Sequence, residues 1–227
     1  PYTTLFRSPM TSLNPVFSIK SQMVEVIRRH RKVSRKDALK VAVEMLQLVG
    51  IPDPEKRIHA YPHQFSGGMR QRVMIATALS CNPKLLIADE PTTALDVTIQ
   101  AQIIDIMKHV SKELHTSIIL ITHDLGVIAE LCSRIIVMYG GLAMEKGKVD
   151  DIFYKPSHPY TRGLLQSLPR TDSHAKDRLV PIKGSPPDLM NPPPGCPFSP
   201  RCPHAMHICR EEVAPTFMVG EGHTSVC

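Results

Sequence analysis

The chain has 227 residues, enough for one sizeable hydrophobic core and a small appendage. It is 42% hydrophobic and 21% charged, lacks Trp and carries a net charge of +6, the make-up of an ordinary soluble protein. No apolar run reaches the roughly 18 to 20 residues of a spanning helix, which excludes a chain that crosses a membrane by itself, and no signal peptide is visible, which favours the cytoplasm.

Residues 1–8 (Pro-Tyr-Thr-Thr-Leu-Phe-Arg-Ser) fit nothing downstream. They match the translation of a widely used sequencing-library adapter and are read as an artefact fused to a broken reading frame, outside the fold. Helical periodicity runs from Ile19 to His30 and from Ser34 to Val49. In the second stretch Ser34 and Asp37 resemble a capping box. Ala38, Val41, Ala42, Met45, Leu46 and Val49 form an apolar stripe, which Gly50 and Pro52 end. Arg28, Arg29, Arg31, Lys32, Arg35 and Lys36 hold much of the positive charge. Such a cluster suits nucleic acid or anionic lipid but is read first as solvated helix surface.

Phe65-Ser66-Gly67-Gly68-Met69-Arg70-Gln71-Arg72 precedes a helix through Val73, Ile75, Ala76 and Leu79. Ser66 is placed to cap that helix, and the glycines let backbone approach a ligand. Unpaired amides and the positive end of the helix dipole favour a phosphate there. Next come Leu85 to Ala88, a short unbroken apolar run suited to a strand buried on both faces. Asp89 and Glu90 stand where that strand ends, and Pro91 stops its ladder. Ligands of open α/β sheets sit at the carboxyl ends of strands. Neighbouring strand residues point to opposite sides, so one carboxylate can hold a hydrated Mg²⁺ while the other orients or deprotonates a water for attack on a phosphate. A helix follows through Ile99, Ile103, Ile104, Ile106, Met107 and Val110, then a second buried strand, Ser117 to Thr122, ending at His123-Asp124. Residues Arg134 to Tyr139 make a third strand and Gly140 to Val149 a hairpin. The alternation of strands and helices predicts a layered α/β core.

Lys84-Leu85-Leu86-Ile87-Ala88-Asp89-Glu90-Pro91-Thr92-Thr93-Ala94-Leu95-Asp96 resembles the Walker B strand and D-loop of an ATP-binding cassette (ABC) ATPase. Ser66-Gly67-Gly68 resembles the signature motif, with Met69 in place of the commoner Gln, and His123 matches the switch histidine. Pro9 to Pro15 resembles the stretch after the Q-loop of peptide importers, but Arg7 and Ser8 stand where the family carries Gln and an acidic residue. The resemblance implies a P-loop NTPase-like (RecA-like) parallel sheet with a helical subdomain over about 9–80, a core over about 81–157 and a C-terminal extension over 158–227. It also implies ATP and Mg²⁺ as ligands. Glu90 is expected as general base, Asp89 as the Mg²⁺ residue and His123 as the γ-phosphate contact. Ser66, Gly67, Gly68, Gln71 and Asp96 complete the expected nucleotide site, the signature residues acting on the nucleotide of an opposite subunit. The Walker A pattern G-x-x-x-x-G-K-[ST] occurs nowhere; Gly140 to Lys148 is glycine-rich, but its spacing fails and Val149 stands where Ser or Thr is needed. The chain is therefore expected to be an N-terminally truncated piece that binds ATP poorly alone.

From His158-Pro159-Tyr160 onward the chain resembles the C-terminal extension of dipeptide, oligopeptide and nickel importer ATPases. Pro becomes dense between Pro181 and Pro203, so this segment is expected to need an external staple. Cys196, Cys202, Cys209 and Cys227, spaced C-x₅-C-x₆-C-x₁₇-C, are the candidates. In a cytosolic chain they argue for metal before disulfide, and thiolates suit Zn²⁺ and iron–sulfur clusters alike. The resemblance implies a [4Fe–4S] cluster; Zn²⁺, with His204, His207 or His223 replacing a ligand, is the alternative. Cys81 and Cys132 are assigned to packing. The expected partners are a second ABC ATPase subunit, two transmembrane permease subunits and an extracytoplasmic solute-binding protein. Nucleic acid is not among them, and the expected place is the cytoplasmic face of the membrane. Two rival readings are an ABC ATPase of DNA repair or chromosome maintenance and a non-catalytic metal-binding interaction module.

Overall fold

The computed structural model describes residues 3–6, 12–93, 95–168 and 181–227. They fall into two compact units that meet in sequence between Leu131 and Cys132. Arg7, Ser8 and the start of the Pro9–Pro15 stretch lie outside the described residues.

In the first unit Ser18 and Ser34 accept from the amides of Ser21 and Asp37 and so start helices α1 (Ile19–Arg31) and α2 (Arg35–Leu48). The Ser34 box is closed differently from expectation: its hydroxyl donates to Asp37 Oδ2 at 2.6 Å. Gly50, at φ 71°, stops α2 in a left-handed turn that an L side chain enters at a cost. Ala38, Ala42, Leu46 and Val49 are buried along the expected stripe. Helix α3 (Gly67–Leu79) begins at Ser66 and brings Val73, Ile75, Ala76 and Leu79 into the same core.

Three parallel strands complete this unit in the order β1 (Thr3–Phe6), β2 (Leu85–Asp89), β3 (Ser117–Ile121). Helices α4 (Val97–Leu114) and α5 (Leu125–Leu131) follow β2 and β3. Residues 3–6, which the sequence set aside as foreign, thus pair with β2 in register Thr3↔Leu85 to Phe6↔Ala88. Burial departs from expectation on both apolar strands. Leu86 and Ala88 are buried, whereas Leu85 and Ile87 are half-exposed. On β3, Ile119 and Ile121 are 48% and 49% exposed. Among the described residues, the core lies against one face of the sheet, the face bearing Leu86, Ala88, Ile118 and Leu120.

The second unit holds a separate antiparallel sheet, ordered β4 (Arg134–Tyr139), β5 (Leu142–Lys148), β7 (His223–Ser225), β6 (Phe217–Gly220). The expected third strand and hairpin therefore pair with the end of the chain rather than extending the parallel sheet. Gly140 and Gly141, at φ 56° and 82°, make the two-residue β4–β5 turn, which explains that glycine pair without a phosphate. Helices α6 (Val149–Tyr154) and α7 (Pro159–Gln166) follow β5. The proline-dense tail is stapled by an aromatic side chain: Phe198, 2% exposed, packs with Tyr139 and Met144 and is flanked by Tyr160 and Ile182. Arg201 adds hydrogen bonds to Tyr139 Oη and to the carbonyls of Ile182 and Lys183.

Candidate functional site

At the carboxyl end of β2 the chain leaves the sheet through Glu90, whose φ is 49°. A non-glycine residue in this region is strained, and such strain gathers where surroundings over-determine a residue. Three bonds do so here. Glu90 N donates to Ile121 O at 2.8 Å, Thr93 Oγ1 donates to Glu90 Oε2 at 2.7 Å, and Glu90 Oε1 lies 3.1 Å from His123 Nδ1. The carboxylate and imidazole are 41% and 78% exposed, so the pair is open to a ligand and screened by water. Asp89, half-buried, ends β2 one residue earlier.

His123 is followed by Asp124, whose Oδ1 accepts from the amides of Gly126 and Val127 at 2.9 and 3.3 Å and caps α5. Its Oδ2 accepts from Gln100 Nε2 at 2.8 Å. Burial pushes this carboxyl up, but the Gln100 hydrogen bond, the two amides and nearby His123 outweigh it and hold it below the ordinary carboxylate value.

The residues around Ser66 are placed by packing. Ser66 Oγ accepts from Met69 N at 3.3 Å. Gly68 is buried, and a Cβ there would lie 2.6 Å from Ile99 Cγ2 on α4. Its missing side chain admits α4, a packing use that the sequence did not suggest. Gln71 is fully buried and donates to Pro91 O at 2.5 Å. It ties the signature helix to the loop after β2 and does not present its side chain to solvent. Asp96 caps α4, accepting from Ile99 N at 2.9 Å. Thr93, Gln100 and Asp124 were not singled out in sequence. Thr93 alone had a local signal, standing three residues beyond Glu90.

In the second unit Cys196 N donates to Cys209 O at 2.8 Å, and Gly195 is pressed so close that a Cβ would lie 2.4 Å from Cys209 O. The thiols of Cys196 and Cys227 are pushed up by burial and by the other cysteines of the set. Cys196, Cys202, Cys209 and Cys227 thus share one neighbourhood. Among the described residues, however, no three His, Cys, Asp or Glu side chains converge closely enough to hold a metal ion. The present arrangement does not fit a zinc site, in which the ligands meet at one ion. Cys132 is half-buried, its thiol pushed up by burial, in keeping with packing.

Residues 4–93 match the ABC transporter family, and residues 144–209 match the oligopeptide/dipeptide transporter C-terminal region. The oligopeptide transport ATP-binding protein OppD of Bacillus subtilis is 57% identical over 96% of this chain and 61% of its own length. The dipeptide transport ATP-binding protein DppD of the same organism is 54% identical over 98% and 66%. A Brucella ovis protein named for peptide import and ATP binding is 51% identical over 98% of this chain and 68% of its own. The chain belongs to the ATP-binding proteins of peptide ABC transporters.

Solved structures agree on the ABC ATPase fold. The ATP-binding cassette MJ0796, as a post-hydrolysis dimer bound to ADP and phosphate, aligns with a TM-score of 0.55 at 29% identity, covering 65% of this chain and 62% of that one. The cbiO1 protein of Clostridium perfringens aligns with a TM-score of 0.60 at 27% identity, covering 67% and 59%. The chain spans 61 to 68% of the length of the three relatives above. No helix among the described residues is long and apolar enough to cross a membrane.

Proposed function

We propose that this chain is the signature- and base-bearing part of an ATPase subunit that energises import of di- and oligopeptides. The observation that carries the reading is the 3.1 Å contact between Glu90 and His123 at the end of a parallel strand. Glu90 acts as general base on the attacking water, and His123 contacts the γ-phosphate with the imidazole nitrogen not engaged by Glu90. Asp89 holds Mg²⁺ through water; a single carboxylate at a strand end suits an ion that keeps most of its hydration shell. Bound Mg²⁺ neutralises charge that develops on the phosphates. Ser66, Gly67 and Gly68 face the nucleotide of a second ATPase subunit, and Asp96 couples the two sites. Gln71 acts only through Pro91.

The names of the relatives favour peptides over nickel as cargo. Two transmembrane permease subunits and an extracytoplasmic solute-binding protein complete the proposed assembly, with this chain on the cytoplasmic face of the membrane. Since the sequence holds no Walker A run, ATP hydrolysis needs a phosphate-cradling segment that this polypeptide does not encode. Residues 1–8 remain proposed as foreign, a reading compatible with strand β1 because parallel pairing is made by backbone and tolerates many sequences.

The test is steady-state ATP hydrolysis by the subunit carrying a restored N-terminal segment. Glu90→Gln is expected to lower turnover by about 10²- to 10⁴-fold, the usual contribution of a positioned general base. An unchanged rate removes Glu90 from that role.

The shared neighbourhood of Cys196, Cys202, Cys209 and Cys227 supports a second proposal, that they carry a [4Fe–4S] cluster or Zn²⁺. A zinc ion draws the four thiols onto one point, whereas a cluster spaces them around its four irons. Anaerobic purification is expected to yield broad absorbance near roughly 400 nm that Cys202→Ser abolishes. Stoichiometric zinc without that band assigns the alternative, and neither metal leaves four reduced thiols.

A further inference from the structure

Helix α4 grips the switch region through a residue that its apolar periodicity does not explain. Gln100 lies one turn into α4, and its amide donates to Asp124 Oδ2 at 2.8 Å. The same carboxylate caps α5 through Gly126 and Val127, while Asp124 N donates to Thr122 Oγ1 at 3.1 Å. His123 is therefore flanked by two anchored residues, and its exposed ring has a defined backbone behind it. On the same stretch of α4, Ile99 fills the space above Gly68, and Gln102 Oε1 accepts from Arg72 Nη2 at 2.7 Å. Gly68 and Arg72 belong to the signature helix. At the far end of α5 a second rung joins the helices, Lys108 Nζ to Glu130 Oε1 at 2.6 Å.

We propose that Gln100 is a positioning residue that fixes the loop bearing His123 to α4, and through α4 to the signature helix. This rests on the roles proposed above for His123 and Ser66. The histidine that meets this chain's nucleotide and the serine offered to a partner's nucleotide then keep one fixed relation. A neutral amide suits the position. It donates to Asp124 without cancelling the negative charge that lies beside His123, whereas a Lys or Arg would neutralise it. The partner of Gln100 is 24 residues away in sequence, so only the fold brings the pair together.

The 227-residue chain itself serves for the test, with His123 observed by NMR and no nucleotide present. In Gln100→Ala the ring-nitrogen resonances of His123 shift, and the amides of Gly126 and Val127 exchange about tenfold faster, as loss of one hydrogen bond to a charged group predicts. Alanine keeps the helix intact. Lys108→Ala breaks the distant rung and leaves the His123 resonances in place. Gln100→Glu sets two carboxylates against each other, so it reproduces the alanine effect at pH 7 and recovers on acidification, when a shared proton restores the bond. Unchanged His123 resonances in Gln100→Ala overturn the proposal even if α5 frays, because Gln100 would then only support the Asp124 cap. A pH-independent effect of Gln100→Glu also overturns it. Glu90→Gln turnover is a separate measurement, so this proposal and the hydrolysis reading fail separately.

Discussion

Gly68 shows how one missing methyl group sets the relation between two helices. A Cβ there would lie 2.6 Å from Ile99 Cγ2, inside any real contact distance, and Ile99 is held by the adjacent Asp96 cap. Gly68→Ala is therefore expected to destabilise the first unit by about 1–3 kcal/mol through overpacking, despite the better helix propensity of alanine. Urea denaturation followed by far-UV circular dichroism measures it; a midpoint at or above that of the parent would show that α4 moves aside freely. Residue-level legibility follows the same division. Asp89, Glu90 and His123 could be nominated because such residues stand at strand ends within short motifs, and the fold brings Glu90 and His123 to 3.1 Å of each other. Gln71 was assigned to nucleotide because it also stands in a motif, yet its partner is Pro91, 20 residues on. Thr122, Gln100 and Asp124 interlock only after the strands are laid side by side.

Among the elements, helices were legible because their signals are local: Ser34 and Ser66 cap the helices that follow, as do Ser18 and Asp96, which were not read as caps in the sequence. Strands were legible as strands, but not their partners, since an apolar run does not encode which ladder it joins. The two-residue turn between β4 and β5 makes that pair antiparallel, and β7, a three-residue strand, then joins it through Thr224 and Ser225, which pair with Lys146 and Glu145. The tail is similar. Its prolines were visible, whereas its anchor Phe198 was not distinguished from its neighbours. Phe198 rests edge-on to Tyr139 with ring centroids 5.4 Å apart and lies 5.3 Å from Tyr160. Phe198→Ala is expected to cost about 3–5 kcal/mol, as core aromatic truncations do. The measurement is near-UV circular dichroism of the tyrosines during thermal melting. An unshifted midpoint would mean that the cysteine segment, and not the aromatic cluster, holds the tail.

Across the whole molecule, two units with separate cores imply that one unfolding probe does not describe the chain, and acid should expose the difference. The second unit buries a carboxylate and two imidazoles. Glu145 accepts from the amides of Ser157 and His158 and from His223 Nε2 at 2.7 Å. His158 is 1% exposed and caps α7, its Nδ1 accepting from Tyr160 N at 3.0 Å. Burial pushes the His158 imidazole below its ordinary value of 6.5, with Glu145 opposing, and the Tyr160 amide occupies the nitrogen that a proton would need. A folded pKa below the unfolded one means that the unfolded chain binds the extra proton first. Stability of this unit is therefore fully present above the unfolded value near 6.5 and falls as the pH drops from there towards the folded value. Tyrosine near-UV melts are expected to show a lower midpoint at pH 5.5 than at pH 7.5. His158→Asn keeps an acceptor for Tyr160 N but cannot titrate, so it should narrow that gap even if it lowers both midpoints through lost packing. A gap of the same width in His158→Asn would assign the acid sensitivity to another group.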